Sequence, residues 1–460
     1  MLIRFNVKNF LSFSSSEDDR SEEFSMICGK VRSKKDHVFD DGNLKLLKFA
    51  AIYGANASGK SNLVKSMKFM KSTVQRGLPK GHSDLFCKSD SSNKFKPSYF
   101  EIEIKLDQKY YSYGFEVLLS NSEFISEWLI ELHPDNSDRT LFLRDIANST
   151  FEIGGQLSEK GLYEKIKSYM EDIQDDTSAL FLTIMSKNKK NLYESFPSAN
   201  VLKDVFSWVD KQFDINYPNQ PISDYTYLVK ADKVSEICKL ISAFGTGITN
   251  FELVEIDSEK VIRKYPDAFW KEILATIDKR LAEVKKNPKR EELGLIVRSP
   301  GDFLIITIDK EENIKFETIE FYHSAKDILF RLDEESDGTV RILDLLEILI
   351  SGNGKTYVID ELDRCLHPSL TYKFVETYFE FAKERNIQLI VTTHESRLLD
   401  FDLLRRDEVW FVDKKQTGVS NIYSLEEYNA RFDQKIDKAY LEGRYGGVPI
   451  FSTVFPVKED

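Results

Sequence analysis

Residues Gly54-Ala55-Asn56-Ala57-Ser58-Gly59-Lys60-Ser61 satisfy the pattern G-x-x-x-x-G-K-[ST], and the chemistry of that pattern is phosphate binding. Successive backbone N–H groups and the N-terminus of a following helix present partial positive charge, and glycines let the backbone approach the ligand closely. Lys60 would add a mobile point charge on the β- and γ-phosphates of ATP, and Ser61 would ligate Mg²⁺. Asn62, next in the chain, is grouped with these nucleotide-binding residues. The plainer reading is a glycine-containing turn with a solvated lysine. Context argues against it, because the loop follows an apolar run, LLKFAAIYG (46–54), and precedes a helix-compatible stretch.

A second constellation lies in KTYVIDELDR (355–364), where apolar residues lead into Asp360-Glu361. Adjacent carboxylates at the C-terminal end of a buried strand sit where open α/β sheets bind ligands. Asp360 would hold Mg²⁺ and Glu361 would polarise the attacking water. An Asp-Glu pair alone usually marks only a strand-to-loop boundary; the P-loop elsewhere in the chain changes the balance. The next apolar run ends in Thr392-Thr393-His394, and His394 at that tip could contact both the γ-phosphate and the water. A further group, Glu335-Ser336-Asp337-Gly338-Thr339-Val340-Arg341, stands just before an apolar helix. Small residues at a helix start make an anion-binding nest, and a plain N-cap by serine or aspartate is the competing reading.

The elements that must position these residues follow from periodicity. Residues 2–10 alternate like a strand, and 98–106 and 110–119 alternate around a DQK turn as a β-hairpin. Helical patterns dominate from about 155 to 290, in GLYEKIKSYMEDI, ANVLKDVFSWVDKQF and DAFWKEILATIDKRLAEVKK. Strand alternation returns at 302–308 and 315–323, followed by a helix over 339–350. The strand–helix–strand series 355–360, 367–386 and 387–394 is a βαβ unit, so the core sheet is expected to be parallel. The expected fold class is α/β, with head segments at 1–150 and 291–460 and an inserted, mainly helical lobe at 151–290.

Hydrophobic residues at 41% and charged residues at 30% of the 460 are ordinary globular values. No signal-peptide core or membrane span stands out, which points to a cytoplasmic protein. Cys28, Cys87, Cys238 and Cys365 are far apart, with neither metal nor disulfide spacing, and read as buried structural thiols. A net charge of −12 disfavours non-specific attraction to DNA, without excluding a local basic groove. The run Lys285-Lys286-Asn287-Pro288-Lys289-Arg290 could contribute to one, although such runs usually form solvated turns. Asp400 and Asp402 offer a DxD spacing that reads as solvated charge. No zinc-protease helix motif or GxSxG elbow occurs.

Together, GANASGKSN, ESDGTVR, VIDELDRCLHP and TTHES resemble the ABC-type ATPase heads of SMC proteins, RecF-like recombination ATPases and the OLD family. They look most like the AAA15-type ATP-binding proteins linked to abortive infection, and LRRDEVWFVDK (404–414) and YLEGRYGGVP (440–449) resemble that family's C-terminal segments. The resemblance implies an ABC-type head with a mixed β lobe and a parallel core. It also implies a homodimer or higher homo-oligomer in which Ser336, Asp337, Gly338 and Thr339 of one protomer close over the ATP of the other. Leu11 stands where many relatives carry a basic residue. No glutamine-loop residue can be assigned, since Gln75 and Gln108 are both poorly spaced, and the roles of Cys365 and His367 stay open. The chain after the last expected head strands is too short for the Toprim domain of OLD nucleases. A separate effector, such as a Toprim-type nuclease, and a phage-derived trigger are therefore expected. The alternatives are a DNA-repair or DNA-clamping ATPase and a nucleotide-locked assembly scaffold.

Overall fold

The computed structural model describes residues 1–14, 20–135, 137–229, 234–257, 292–299, 302–309, 313–323, 328–350 and 352–427, with isolated positions between 259 and 275. The basic run 285–290, the segment 440–449 and most of the helical stretch expected at 267–286 lie outside the described residues. The chain forms two compact units. The first comprises Met1–Ile215, Gly352–Leu362 and Phe379–Asp460, and the second Asn216–Ser351 and Asp363–Tyr378.

The first unit contains a seven-stranded antiparallel sheet in the order Thr150–Ile153, Arg139–Asp145, Glu123–Leu132, Lys109–Leu118, Ser98–Leu106, Leu2–Lys8, Glu22–Ser25. Period-two alternation buries Phe100, Ile102 and Ile104 and turns Tyr99, Glu101 and Glu103 outward. The expected hairpin closes between Leu106 and Lys109, with Asp107 at φ +48° in its turn. Phe69 of the helix Lys60–Arg76 packs between Phe10 and Phe100, with ring centroids 4.8 and 5.0 Å away. That aromatic trio fastens the helix to the sheet; each buried ring contributes about 2–3 kcal/mol.

The core sheet of the head runs Phe213–Asn216, Thr356–Ile359, Gln388–Thr392, Phe49–Tyr53, Val409–Lys414, Ser420–Ser424. The four central strands pair in parallel and the last is antiparallel. Every residue of Phe49–Tyr53, Thr356–Ile359 and Gln388–Thr392 is buried, as expected of strands covered on both faces. Gln388 joins the two sheets: its side chain donates to the Leu2 and Leu47 carbonyls at 2.9 and 3.1 Å and accepts from the Leu2 N–H and the Thr356 hydroxyl. The strand Gln388–Thr392 lies between Phe49–Tyr53 and Thr356–Ile359. The ends of three parallel strands thus stand in a row, carrying Gly54, Thr393-His394 and Asp360-Glu361.

The second unit is built on a five-stranded sheet. Its main path runs Asn250–Glu255, Ile314–Tyr322, Asp302–Asp309, Glu292–Ser299, and Leu329–Arg331 pairs with Ile314–Tyr322. Leu304, Ile306, Ile308 and Phe316 form a buried core on this sheet. The helix Asp337–Ile350 buries Ile342, Leu343, Leu345, Leu346, Ile348 and Leu349.

Several sequence expectations need adjustment. The apolar run 46–54 is two strands, Lys45–Leu47 in a hairpin with Val38–Asp40, and Phe49–Tyr53 in the core. Of the segment 151–290, expected as one inserted lobe, residues through Ile215 are grouped with the first unit and those from Asn216 with the second. Within the segment, the helix Asn200–Ser207 gives way to a π-helical turn, Trp208–Gln212, and then a strand. The four cysteines are not all buried: Cys87 and Cys238 are, Cys28 is half-buried and Cys365 is exposed. Cys365 sits in a loop at φ +61° with its neighbours Arg364 and His367 also exposed, so no apolar layer covers it.

Candidate active site

The loop Gly54–Gly59 leaves the buried strand Phe49–Tyr53 and enters the helix Lys60–Arg76. Its path requires glycine at two points. A Cβ on Gly54 would lie 2.4 Å from the Val412 carbonyl oxygen, and one on Gly59, at φ +120°, would lie 2.4 Å from Ser420 Oγ. Neighbouring strands and turns hold the loop from outside. Ser420 Oγ donates to the Ser58 carbonyl at 2.5 Å, and Asn62 Nδ2 donates to Ser12 Oγ at 2.8 Å. Ala57 adopts φ +65° without being glycine. Such backbone is retained where the surrounding structure over-determines it.

Lys60 is 6% exposed. Its ammonium donates to the Gly54 and Ala55 carbonyl oxygens at 2.6 and 3.1 Å, so the charge is held within the loop rather than in solvent. Ser61 Oγ lies 3.2 Å from Asp360 Oδ1. The loop and the acidic pair, 299 residues apart in sequence, thereby meet. The same carboxylate oxygen accepts a 2.6 Å hydrogen bond from Thr392 Oγ1, which in turn accepts from the Glu361 N–H at 2.8 Å. Glu361 takes φ +53°, a conformation costing an L-residue about 1–2 kcal/mol. The Thr392 hydroxyl supports that turn from below.

One hydroxyl and one carboxylate in contact suit Mg²⁺, which keeps several waters and is completed by phosphate oxygens rather than by an all-protein cage. Among the described residues no group of three His, Cys, Asp or Glu side chains gathers as a self-sufficient metal site. His394 is exposed just beyond the strand Gln388–Thr392. The strand tip is fixed to the P-loop strand by the Thr393 N–H donating to the Ile52 carbonyl at 3.1 Å and by Tyr53 Oη donating to the Glu395 carbonyl at 3.3 Å.

Ser336, Asp337, Gly338 and Thr339 belong to the second unit and form a helix start there. Ser336 Oγ accepts from the Thr339 N–H at 3.1 Å, so the serine is the N-cap of Asp337–Ile350. A Cβ on Gly338 would lie 3.0 Å from the Cys365 carbonyl oxygen. His367 also has a structural use: its Nδ1 accepts from the Ser369 N–H at 3.2 Å and starts the helix Pro368–Ala382. Leu11 lies at φ +52° with its N–H on the Leu85 carbonyl. Gln75 donates to Asp210 at 2.7 Å. Asp400 Oδ1 accepts from the Asp402 N–H and Asp402 is exposed, as a loop does.

A family model described as "AAA domain, putative AbiEii toxin, Type IV TA system" matches residues 49–400, from the P-loop strand to just beyond His394. The chain belongs to this family. It is thus a P-loop ATPase-family protein with an α/β architecture. No curated protein matches it. Solved structures similar to this AAA-domain protein include a Smc head bound to the C-winged helix domain of ScpA, at 14% identity over 93% of this chain and 99% of that one, TM-score 0.40. The SMC head domain from Thermotoga maritima matches at 14% identity over 92% and 98%, TM-score 0.36. A Smc head with an extended coiled coil, bound to the C-terminal domain of ScpA and derived from Pyrococcus furiosus, matches at 14% over 96% and 99%, TM-score 0.39. Among the described residues of the AAA-domain protein, no helix is long and apolar enough to cross a membrane.

Sequence reasoning missed Thr392, Ser12 and Ser420 as the side chains that shape the site. Thr392 had a signal, since a hydroxyl at the end of a buried strand beside the acidic pair needs a partner. Ser12 and Ser420 had none, because their role depends on strands distant in sequence.

Proposed function

We propose that this protein is an ABC-type ATPase that binds ATP with Mg²⁺, dimerises through the nucleotide and controls a separate effector in anti-phage defence. The observation that carries the reading is the Ser61–Asp360 contact at 3.2 Å, which unites the P-loop with the acidic strand end. Gly54, Asn56, Ala57, Ser58, Gly59 and Asn62 would surround the phosphates, and Lys60 would exchange its two backbone carbonyls for them. Ser61 and Asp360 would hold Mg²⁺, whose charge neutralises the phosphates during transfer. Glu361 would orient and deprotonate the attacking water, and His394 would hydrogen-bond to it and to the γ-phosphate. Thr392 keeps Asp360 and Glu361 in register with each other.

The helix start at Ser336–Thr339 would close over the ATP of a second copy, so that two helix N-termini share the nucleotide's charge. ATP then assembles the homodimer, or a higher homo-oligomer, and hydrolysis releases it. The family's description as a putative toxin of a Type IV toxin–antitoxin system supports a role in defence. The resemblance to AAA15-type ATP-binding proteins linked to abortive infection supports a separate effector, such as a Toprim-type nuclease, and a phage-derived trigger. The net charge of −12 weighs against DNA as the primary partner.

Light scattering with ATP and Mg²⁺ tests the cycle. Glu361→Gln should accumulate a closed dimer and Lys60→Ala should remain open. Equal assembly of the two variants, or steady hydrolysis by Glu361→Gln, would remove the basis for this reading. Co-purification with the neighbouring gene's product tests the effector; an ATPase that arrests infected cells unaided would contradict it.

A further inference from the structure

Within the second unit, Arg298, Arg341 and Arg364 line one cavity of about 470 Å³, within the size range of small-ligand sites. Arg341 lies in the second turn of the helix Asp337–Ile350 and is 6% exposed. Arg364 comes from the segment just after the acidic pair, is exposed, and donates to Asn219 Oδ1 at 2.5 Å. The cavity also holds carboxylates, but these have cationic neighbours. Asp344 pairs with Arg298 at 3.3 Å, Glu335 with His323 at 2.8 Å, and Asp333 with Arg331 at 3.1 Å. Asp337 stands in the first turn of the helix, where its charge complements the helix dipole.

The hydrogen bond that holds Arg364, by contrast, goes to a neutral amide. Burial pulls the Arg341 pKa below its ordinary value; Asp344, Asp363 and Cys365 oppose the shift, and Arg364 adds to it by repulsion. Two guanidinium groups that repel one another, one of them desolvated, make a fork-shaped receptor for a multiply charged oxyanion. The helix N-terminus beside them adds to the same field.

We propose that Arg341 and Arg364 bind phosphate oxygens, and that the phosphate belongs to ATP held by the P-loop of a second copy of this chain. The proposal rests on the dimer reading and deepens it by naming the charges that the second copy supplies beyond the Ser336–Thr339 turn. Arg364 is suited to the contact because it is exposed and already oriented by Asn219. Arg341, fixed inside the helix, sets where the phosphate stops.

A complementation experiment tests this directly. Arg364→Ala should lower ATP hydrolysis at least about tenfold, as expected for a charge that contacts a transferring phosphoryl group. Lys373→Ala, an exposed lysine paired with Glu376, should not. Lys60→Ala loses its own P-loop charge but keeps the cavity intact. Lys60→Ala cannot close on itself, but in a mixed pair the ATP held by the intact P-loop of Arg364→Ala closes the dimer, and at random pairing half the pairs are mixed. Each mixed dimer has one complete site of two, so mixing should restore about a quarter of wild-type activity.

Failure of mixing to rescue, or an Arg364→Ala rate within twofold of wild type, overturns the proposal while leaving ATP-driven dimerisation intact. Wild-type protein that stays monomeric with ATP instead overturns the dimer reading itself. Arg341→Lys keeps the charge but loses the fork, and should fall between wild type and Arg364→Ala. Inorganic phosphate supplied to Lys60→Ala without ATP separates the two sources of the oxyanion. Saturable, Arg364-dependent phosphate binding together with no rescue on mixing assigns the cavity to a free anion and refutes the contact in trans.

Discussion

Replacing Thr392 with valine probes the junction on which the site depends. The side chain is isosteric and the residue is 1% exposed, so the substitution removes two hydrogen bonds without opening a cavity. One is the 2.6 Å bond donated to Asp360 Oδ1, the other the 2.8 Å bond accepted from the Glu361 N–H. A bond to a charged group contributes about 1.5–3 kcal/mol, and an unsatisfied buried N–H costs about 1–3 kcal/mol. Burial of the new methyl group returns roughly 1 kcal/mol. The net loss is about 1.5–5 kcal/mol, which in a chain of 460 residues should lower the Tm of the nucleotide-free protein by roughly 2–5 °C. Catalysis should suffer as well. Asp360 loses a fixed rotamer, and the φ +53° turn at Glu361 loses its support, so kcat/KM for MgATP should fall about ten- to a hundredfold. Thr392→Ser keeps the hydroxyl and should restore most of both. Two results would refute the reasoning: a valine variant with wild-type Tm and kcat/KM, or a serine variant as impaired as the valine one, which would assign the effect to the methyl group.

Other perturbations follow from the same geometry. Gly54→Ala places a Cβ 2.4 Å from a backbone oxygen that cannot rotate away; fluorescent-nucleotide titration should show affinity lowered at least about tenfold, and unchanged affinity would deny the tight passage. Glu127 is fully buried and accepts from the Phe181 and Leu182 N–H groups and the Tyr113 hydroxyl; burial raises its pKa above 4.5. The folded state therefore holds this proton to higher pH than the unfolded chain does, and the stability it contributes is lost as pH rises through the folded pKa. The stability of wild type relative to Glu127→Gln should decline above pH 4.5 by about 1.4 kcal/mol per unit of the rise; urea midpoints that keep a constant gap across pH would contradict this. Thiol titration of the native protein at pH 8 should modify Cys365 fast. Cys87 and Cys238 are buried and the Cys28 thiol is pushed up to about 11, leaving roughly one part in a thousand as thiolate. A fast phase that persists in Cys365→Ser would overturn the assignment.

The sequence carried the local half of the site and not the distant half. The P-loop was legible because its constraint is local: glycines, lysine and serine act within one strand–turn–helix passage. The acidic pair was legible from the apolar strand that presents it. Neither pattern could reveal that Glu361 turns to φ +53°, since no glycine or asparagine marks the position and the support comes from Thr392, 31 residues away. The π-helical turn at Trp208–Gln212 was hidden for another reason. Its apolar spacing reads as a continued helix, and only its contact with the helix Lys60–Arg76, through Gln75 and Asp210, and the joining of Phe213–Asn216 to the core sheet set it apart.

Ser336 shows how a single atom can satisfy both readings that the sequence left open. As N-cap, its oxygen accepts from the Thr339 N–H at 3.1 Å, and it lies 2.9 Å from Thr339 Oγ1. A hydroxyl has two lone pairs and one proton, so accepting from the backbone leaves the proton to be donated elsewhere. In this structure Thr339 Oγ1 is within reach of that proton. A phosphate oxygen presented by a second copy would compete for it with a charge-assisted bond, roughly twice as strong as a neutral one. Capping fixes the serine rotamer before the phosphate arrives, so that contact would cost little side-chain entropy. In the proposed dimer the N-cap geometry would thus preorganise the contact in trans, and Ser336→Ala should then weaken both the helix start and ATP-driven assembly.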